Sequence, residues 1–146
     1  MLLKEFKIYL AGACKGLPDL GTKWRREAAK YFKNYCEMFP QYRIITYDPT
    51  HYFARDGSDS VSNKQVKNFY LKYLIKNCDV VLVNLNQTET SMGTAQELQF
   101  SADHDIPVVG YGHDNVYEWL PEDCDVVFDN LNNAMEYITD NFIFSI

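Results

Sequence analysis

Residues 79–85 read DVVLVNL, and no polar side chain interrupts Val80, Val81, Leu82 and Val83. A strand with one face in water alternates apolar and polar residues. A strand apolar on both sides must be covered on both faces, the condition of strands in parallel sheets. Similar runs lie outward along the chain: KIYLAG from Lys7, YRIITY from Tyr42, IPVVGYG from Ile106 and a weaker DVVFD from Asp125. Five buried strands are therefore predicted.

Helical patterns separate them. After Thr22, the residues Trp24, Ala28, Tyr31, Phe32 and Tyr35 fall on one face, with Lys23, Arg25, Arg26, Lys30 and Lys33 on the other. Ser62 with Gln65 three residues later is a capping-box pattern, opening a helix that carries Val66, Phe69, Tyr70 and Tyr73. A third helix is predicted from Thr94 to about His104, and a fourth from near Asn130 with Leu131, Ala134, Met135 and Ile138 toward the sheet. Right-handed crossovers between parallel strands then give an α/β, flavodoxin/Rossmann-like three-layer sandwich with a five-stranded parallel sheet in order 2-1-3-4-5. At 146 residues the whole chain, 1–146, is expected to form a single domain.

The net charge of −6 argues against a surface that tracks a nucleic-acid polymer, which needs clustered Lys and Arg. Cys14, Cys36, Cys78 and Cys124 form no CxxC pair and the three histidines show no metal-ligand spacing, so no metal and no cofactor is expected. The start of the chain is broken by Lys4, Glu5 and Lys7 before a signal sequence could form, and no apolar run approaches a membrane span. A cytoplasmic protein without membrane contact is the expectation, with a small molecule as its partner.

In such a sheet, ligands collect beyond the strand C-termini where the strand order reverses, here between the first and third strands. Two loops would face each other there. AGACKG, residues 11–16, places Gly12, Lys15 and Gly16 after the first strand, where backbone N–H groups and an ammonium can meet an anion. An ordinary turn explains the same glycines. SMGTAQEL, residues 91–98, sets Glu97 three residues after Thr94. Thr94-x-x-Glu97 fits a capping box, in which both side chains satisfy N–H groups at a helix start. A carboxylate in the first turn of a helix at the switch point is also aimed at the ligand space, where it can act as a nucleophile or stabilise an oxocarbenium ion.

KIYLAG, NCDVVLVNLN, SMGTAQEL and IPVVGYG together resemble the nucleoside 2-deoxyribosyltransferase family and its nucleoside 5′-monophosphate N-glycosidase relatives, and the likeness continues loosely through DVVFDNLNNAMEYI. The resemblance implies cleavage or transfer at the bond between base and deoxyribose, with Glu97 as nucleophile, Tyr9 beside it, and a homo-oligomer whose sites are completed across an interface. Ser91 stands where the transferases often have an aspartate. Serine there resembles the hydrolase branch, in which this position and the Gly12, Lys15, Gly16 loop hold a 5′-phosphate, with Gly93 and Thr94 alongside. A capping serine ahead of a helix is the other reading of Ser91.

One departure bears on chemistry. The family usually carries an aspartate eight residues before Asp79, where it helps to protonate the leaving base, and this chain has Leu71. Asn68, Asp48 and Asp56 are the candidates to replace it. Without an acid, a nucleotide-binding protein with little turnover is the rival, as is a pocket for a larger or signalling nucleotide. The long polar and aromatic stretch TYDPTHYFARDGSDSVSNK is expected to form a lid, with Tyr47, Tyr52 and Phe53 stacking on the base. The apolar tail YITDNFIFSI is expected to pack on a neighbouring subunit.

Overall fold

The computed structural model describes residues 3–15, 17–53 and 60–144. Its strands are β1 (Lys4–Gly12), β2 (Tyr42–Tyr47), β3 (Val80–Asn84), β4 (Val108–Tyr111) and β5 (Val126–Phe128). All pair in parallel, in the order β2-β1-β3-β4-β5. The helices are α1 (Thr22–Met38), α2 (Asn63–Asn68), α3 (Met92–Asp103) and α4 (Leu131–Ile138). A wider π turn, Phe69–Leu74, and a tighter turn, Ile75–Asn77, carry α2 onward to β3. Ser62 and Gln65 form the expected reciprocal cap on α2.

Burial on both faces of β1 and β3 accounts for their unbroken apolar runs. One face packs Phe6, Ile8, Leu10, Val80 and Leu82 against Trp24, Ala28 and Phe32 of α1 and Ala134, Met135 and Ile138 of α4. The other packs Tyr9, Ala11, Val81 and Val83 against Leu71, Leu74 and Ile75 and against Leu98 of α3. Emptying one of these positions, as in Phe32→Ala, costs about 3–5 kcal/mol.

A repeated tetrapeptide sets the strand register. Cys-Asp-Val-Val occurs at 78–81 and again at 124–127. In the first copy Asp79 N donates to Lys7 O at 2.9 Å while Lys7 N donates to Asp79 Oδ2 at 2.7 Å. In the second, Asp125 and Val108 repeat the same clasp at 2.9 and 2.7 Å. Cys78 and Cys124 point their thiols at the carbonyls four residues back, Leu74 and Leu120, and burial pushes both up to about 12. These thiols are structural.

Three positions bear on the expectations above, and one of them, Arg25, overturns its assignment. Leu71 is 8% exposed, a core residue facing the sheet. The tail packs on its own chain: Ile138 and Ile143 are fully buried, and Phe142 lies against Phe6 and Tyr137. Arg25, assigned by charge to the outer face of α1, is completely buried.

Candidate active site

The site begins at the C-terminal ends of β1 and β3. Tyr9 stands on the α3 face of β1, fully buried, opposite Tyr47 of β2 and Val81 of β3 in the register. At Gly12 the strand ends with φ +155, and a Cβ there would press at 3.2 Å on both Asn84 O and the Trp24 ring. Only glycine lets the chain turn away so close to β3. Lys15 is exposed on the following loop, and Gly16 lies outside the described residues.

Side chains after β3 stitch the opposite loop to the one after β4. Asn86 Oδ1 accepts from the N–H groups of His113 and Asp114, and Thr88 Oγ1 donates to Leu85 O while accepting from Tyr117 N. This fixes the entry to α3. The helix starts at Met92 with Ser91 as its flanking residue, two positions earlier than predicted. Thr94 is thus inside the first turn and Glu97 in the second. The capping-box reading fails: Ser91 Oγ and Thr94 Oγ1 bond each other at 2.6 Å, and no side chain caps the helix start.

Glu97 instead reaches across to the sheet. The Tyr9 hydroxyl donates a hydrogen bond to Glu97 Oε2. Among the described residues no hydrogen bond reaches Oε1. Gly93 lies one turn before Glu97 on the same helix face, and a Cβ there would meet nothing within 4 Å. The carboxylate therefore has open space on its N-terminal side. Burial raises the Glu97 carboxyl from 4.5 to about 7, although the Tyr9 hydrogen bond and the Arg25 charge hold it down. The Tyr9 hydroxyl is pushed well above its ordinary range, first by burial and then by the Glu97 charge, so it stays a donor. Near neutrality the site holds a carboxyl poised between its two forms, oriented by one phenol.

Arg25 is the residue that sequence reasoning missed. Its spacing from Ala28 and Phe32, three and seven positions, is that of the buried face of α1, a signal that its charge obscured. It lies within electrostatic reach of both Glu97 and Tyr9. Asp48, just beyond β2, is 7% exposed. Its Oδ1 accepts from Thr50 N and Oγ1 at 2.9 and 2.5 Å, and its Oδ2 lies 3.2 Å from His51 Nε2. Both Asp48 oxygens are thus engaged within the segment after β2. Asp56 lies outside the described residues.

The stretch expected to form a lid falls partly within the described residues. Tyr52 and Phe53 pack against Phe69 and Tyr70, with ring centroids 5.3–6.5 Å apart, and Tyr70 Oη donates to Pro49 O. These rings hold the segment after β2 to the π turn Phe69–Leu74; residues 54–59 lie outside the described region. A groove of about 420 Å³ between α1 and β2 lies away from Glu97. Another of about 330 Å³ beside α3 shares only Ser91 with the site. Chemistry therefore locates the site better than surface shape does. Among the described residues no group of three or more His, Cys, Asp or Glu could hold a metal, and no helix is long and apolar enough to cross a membrane.

Comparison with known proteins identifies the family and the fold. The family model described as nucleoside 2-deoxyribosyltransferase matches residues 8–135. The chain belongs to that family, whose chemistry is glycosyl transfer on nucleosides. Among solved structures, a conserved protein from Enterococcus faecalis V583 superposes with a TM-score of 0.67 at 16% identity, covering 94% of this chain and 99% of its own. The 2-deoxyribosyltransferase of Leishmania mexicana gives 0.62 at 18% identity, with 94% and 99% covered. That of Bacillus psychrosaccharolyticus gives 0.60 at 18%, with 94% of both chains covered. At these identities the structures establish a shared fold. No curated protein matches the chain.

Proposed function

We propose that this chain cleaves or transfers at the N-glycosidic bond of 2′-deoxynucleosides or their 5′-monophosphates, with Glu97 as nucleophile. The carrying observation is the Tyr9 to Glu97 hydrogen bond beside the open space at Gly93. One Glu97 oxygen attacks C1′ of the sugar, and the bond from C1′ to the base breaks with its electron pair leaving on the base. A free base or water then attacks C1′ and releases the carboxylate. Tyr9 orients the carboxylate and stabilises its charged form. Gly12 and Lys15, with Gly16 outside the described residues, and Ser91, Gly93 and Thr94 are assigned to the 5′ end of the ligand. The side-chain-uncapped start of α3 and the Lys15 ammonium together favour an anion there.

Leu71 in the core and the engaged Asp48 support slow chemistry, since acid assistance to the leaving base is typically worth about 10²–10⁴-fold. The same facts favour the second reading, a nucleotide-binding protein of this fold with little turnover. The proposal takes residues 1–146 as one domain in a homo-oligomer, and a reducing cytoplasm suits its four free cysteines. The test is base release from a panel of deoxynucleosides and their monophosphates, with and without an acceptor base, by the native protein and by Glu97→Gln. Release that needs the acceptor identifies a transferase, and release to water a hydrolase. Equal rates for the two proteins would dismiss the nucleophile.

A further inference from the structure

Charge is divided along this chain. All 14 Lys and Arg residues lie at or before Lys76, against seven Asp and Glu, a net charge of +7 over residues 1–76. Residues 77–146 carry 13 Asp and Glu and no Lys or Arg, a net charge of −13. The sheet order turns that division in sequence into one in space, with β2 and β1 on one side and β3, β4 and β5 on the other.

Both halves contribute to one helical layer, because Leu71, Leu74 and Ile75 after α2 and Leu98 of α3 pack on the same face of the sheet. Between Asp59 and Asp79 the only charged residues are Lys64, Lys67, Lys72 and Lys76, all of them exposed. Among the described residues none of the four enters an ion pair. Tyr73, 62% exposed, stacks on Phe69 with ring centroids 5.3 Å apart. The α3 half of the layer is its counterpart. Its groove of about 330 Å³ is lined by Glu89 and Asp123 together with Met92, Tyr117 and Trp119. Met92 and Trp119 are 72% and 68% exposed, and they share one groove rather than standing singly. Burial, then the charges of Asp103 and Glu122, raise the Asp123 carboxyl, and this half of the chain has no Lys or Arg to offset them.

We propose that these two surfaces form one self-complementary interface, in which a second copy of the chain docks across a twofold axis. The lysines and Tyr73 of each copy lie on the Glu89, Trp119 and Asp123 groove of the other. A twofold axis satisfies both contacts at once, because each copy carries both surfaces. Aromatic and Met side chains supply the apolar centre of such an interface, and the opposed charges fix its register and speed its association. The occupant is a second copy because the positive surface has its complement on the same chain. The inference gives the proposed homo-oligomer its surface. Its test needs no turnover, so its failure is distinct from failure of the glycosidic reading.

Analytical ultracentrifugation of the whole chain is that test. The native protein should be a dimer at about 100 μM, weakened about tenfold between roughly 0.05 and 0.5 M salt. Two triple variants reverse exposed charges: Lys67→Glu, Lys72→Glu and Lys76→Glu in one, Glu89→Lys, Asp103→Lys and Glu122→Lys in the other. Each alone should be monomeric, since like charges now face each other. Mixed one to one they should dimerise again, because each brings the charge that the other lacks. Lys23→Glu, Lys30→Glu and Lys33→Glu together, on α1 across the sheet, change the net charge as much as the first triple variant and should leave the dimer intact. If a triple variant does not fold, the single variants Lys72→Glu and Glu122→Lys should each weaken the dimer about threefold, with recovery on mixing. A native monomer at that concentration, a dimer kept by both sets of reversals, or reversed proteins that do not recover on mixing would overturn the proposal. So would a monomer that captures a single-stranded oligodeoxynucleotide through the four lysines, which would give that surface to a polyanion.

Discussion

Replacing Glu97 by Gln should stabilise the protein, and only at high pH. The carboxyl is raised from 4.5 in the unfolded chain to about 7 in the fold. The folded protein therefore keeps a proton that the unfolded chain has released. For this group stability is highest below pH 4.5, falls as pH rises to about 7, and is level above. Each pH unit between the two values corresponds to about 1.36 kcal/mol, which sets a ceiling of about 3 kcal/mol. Solvent reaching the half-buried side chain reduces this to about 2 kcal/mol. Glutamine keeps the shape and can still accept the Tyr9 hydrogen bond, and it never has to bury a charge. At about 3 °C per kcal/mol for a chain of this size, Glu97→Gln should melt about 6 °C higher than the native protein at pH 8.5 and level with it at pH 4.5. Thermal melts of both proteins across that range are the assay. A difference that does not change with pH, or a variant less stable at pH 8.5, would refute the claim that Glu97 is a desolvated carboxylate. A helix cap would have given that second pattern, with a loss of about 1 kcal/mol.

The remaining predictions address neighbouring groups. Tyr9→Phe removes a donor that stabilises the ionised carboxyl, so the acid limb of kcat/KM, expected near pH 7, should move to higher pH; an unmoved limb would show that Tyr9 only packs. If Lys15 meets a phosphate, a 5′-monophosphate should bind about tenfold to a hundredfold better than its nucleoside, the equivalent of about 1.5–3 kcal/mol, and Lys15→Ala should erase most of that preference. Equal binding by the native protein would reject the phosphate reading. Leu71→Asp should cost at least about 3 kcal/mol in chemical denaturation and give no gain in base release, because it buries an unpaired carboxyl in the core. A stable, faster variant would place Leu71 at the ligand.

The sheet was legible because its strands have no polar face: unbroken Val, Ile and Leu runs permit little except a covered parallel sheet, and the order 2-1-3-4-5 follows from crossover handedness. Glu97 and Tyr9 were legible as candidates, but their contact joins positions 88 residues apart that no local pattern relates. The capping box misled because Thr94 and Glu97 do have the right spacing; the helix simply begins two residues earlier. Arg25 was misplaced because charge was read ahead of helical position, and a buried guanidinium satisfied by three carbonyls leaves no mark in composition. The tail and the Tyr52 and Phe53 rings were read as surfaces awaiting partners, whereas each finds apolar neighbours within its own chain.

The central claim is that Glu97 bonds to the sugar, and trapping that bond tests it most directly. The protein is mixed with a turned-over deoxynucleoside or its monophosphate in the absence of acceptor base, quenched in acid within the first turnover, digested and analysed by mass spectrometry. The account predicts that the peptide containing SMGTAQEL gains the mass of the deoxyribosyl group, free or phosphorylated, on Glu97, and that Glu97→Gln shows neither adduct nor base release. Base released at the native rate by Glu97→Gln, or an adduct carried by another residue, would contradict it.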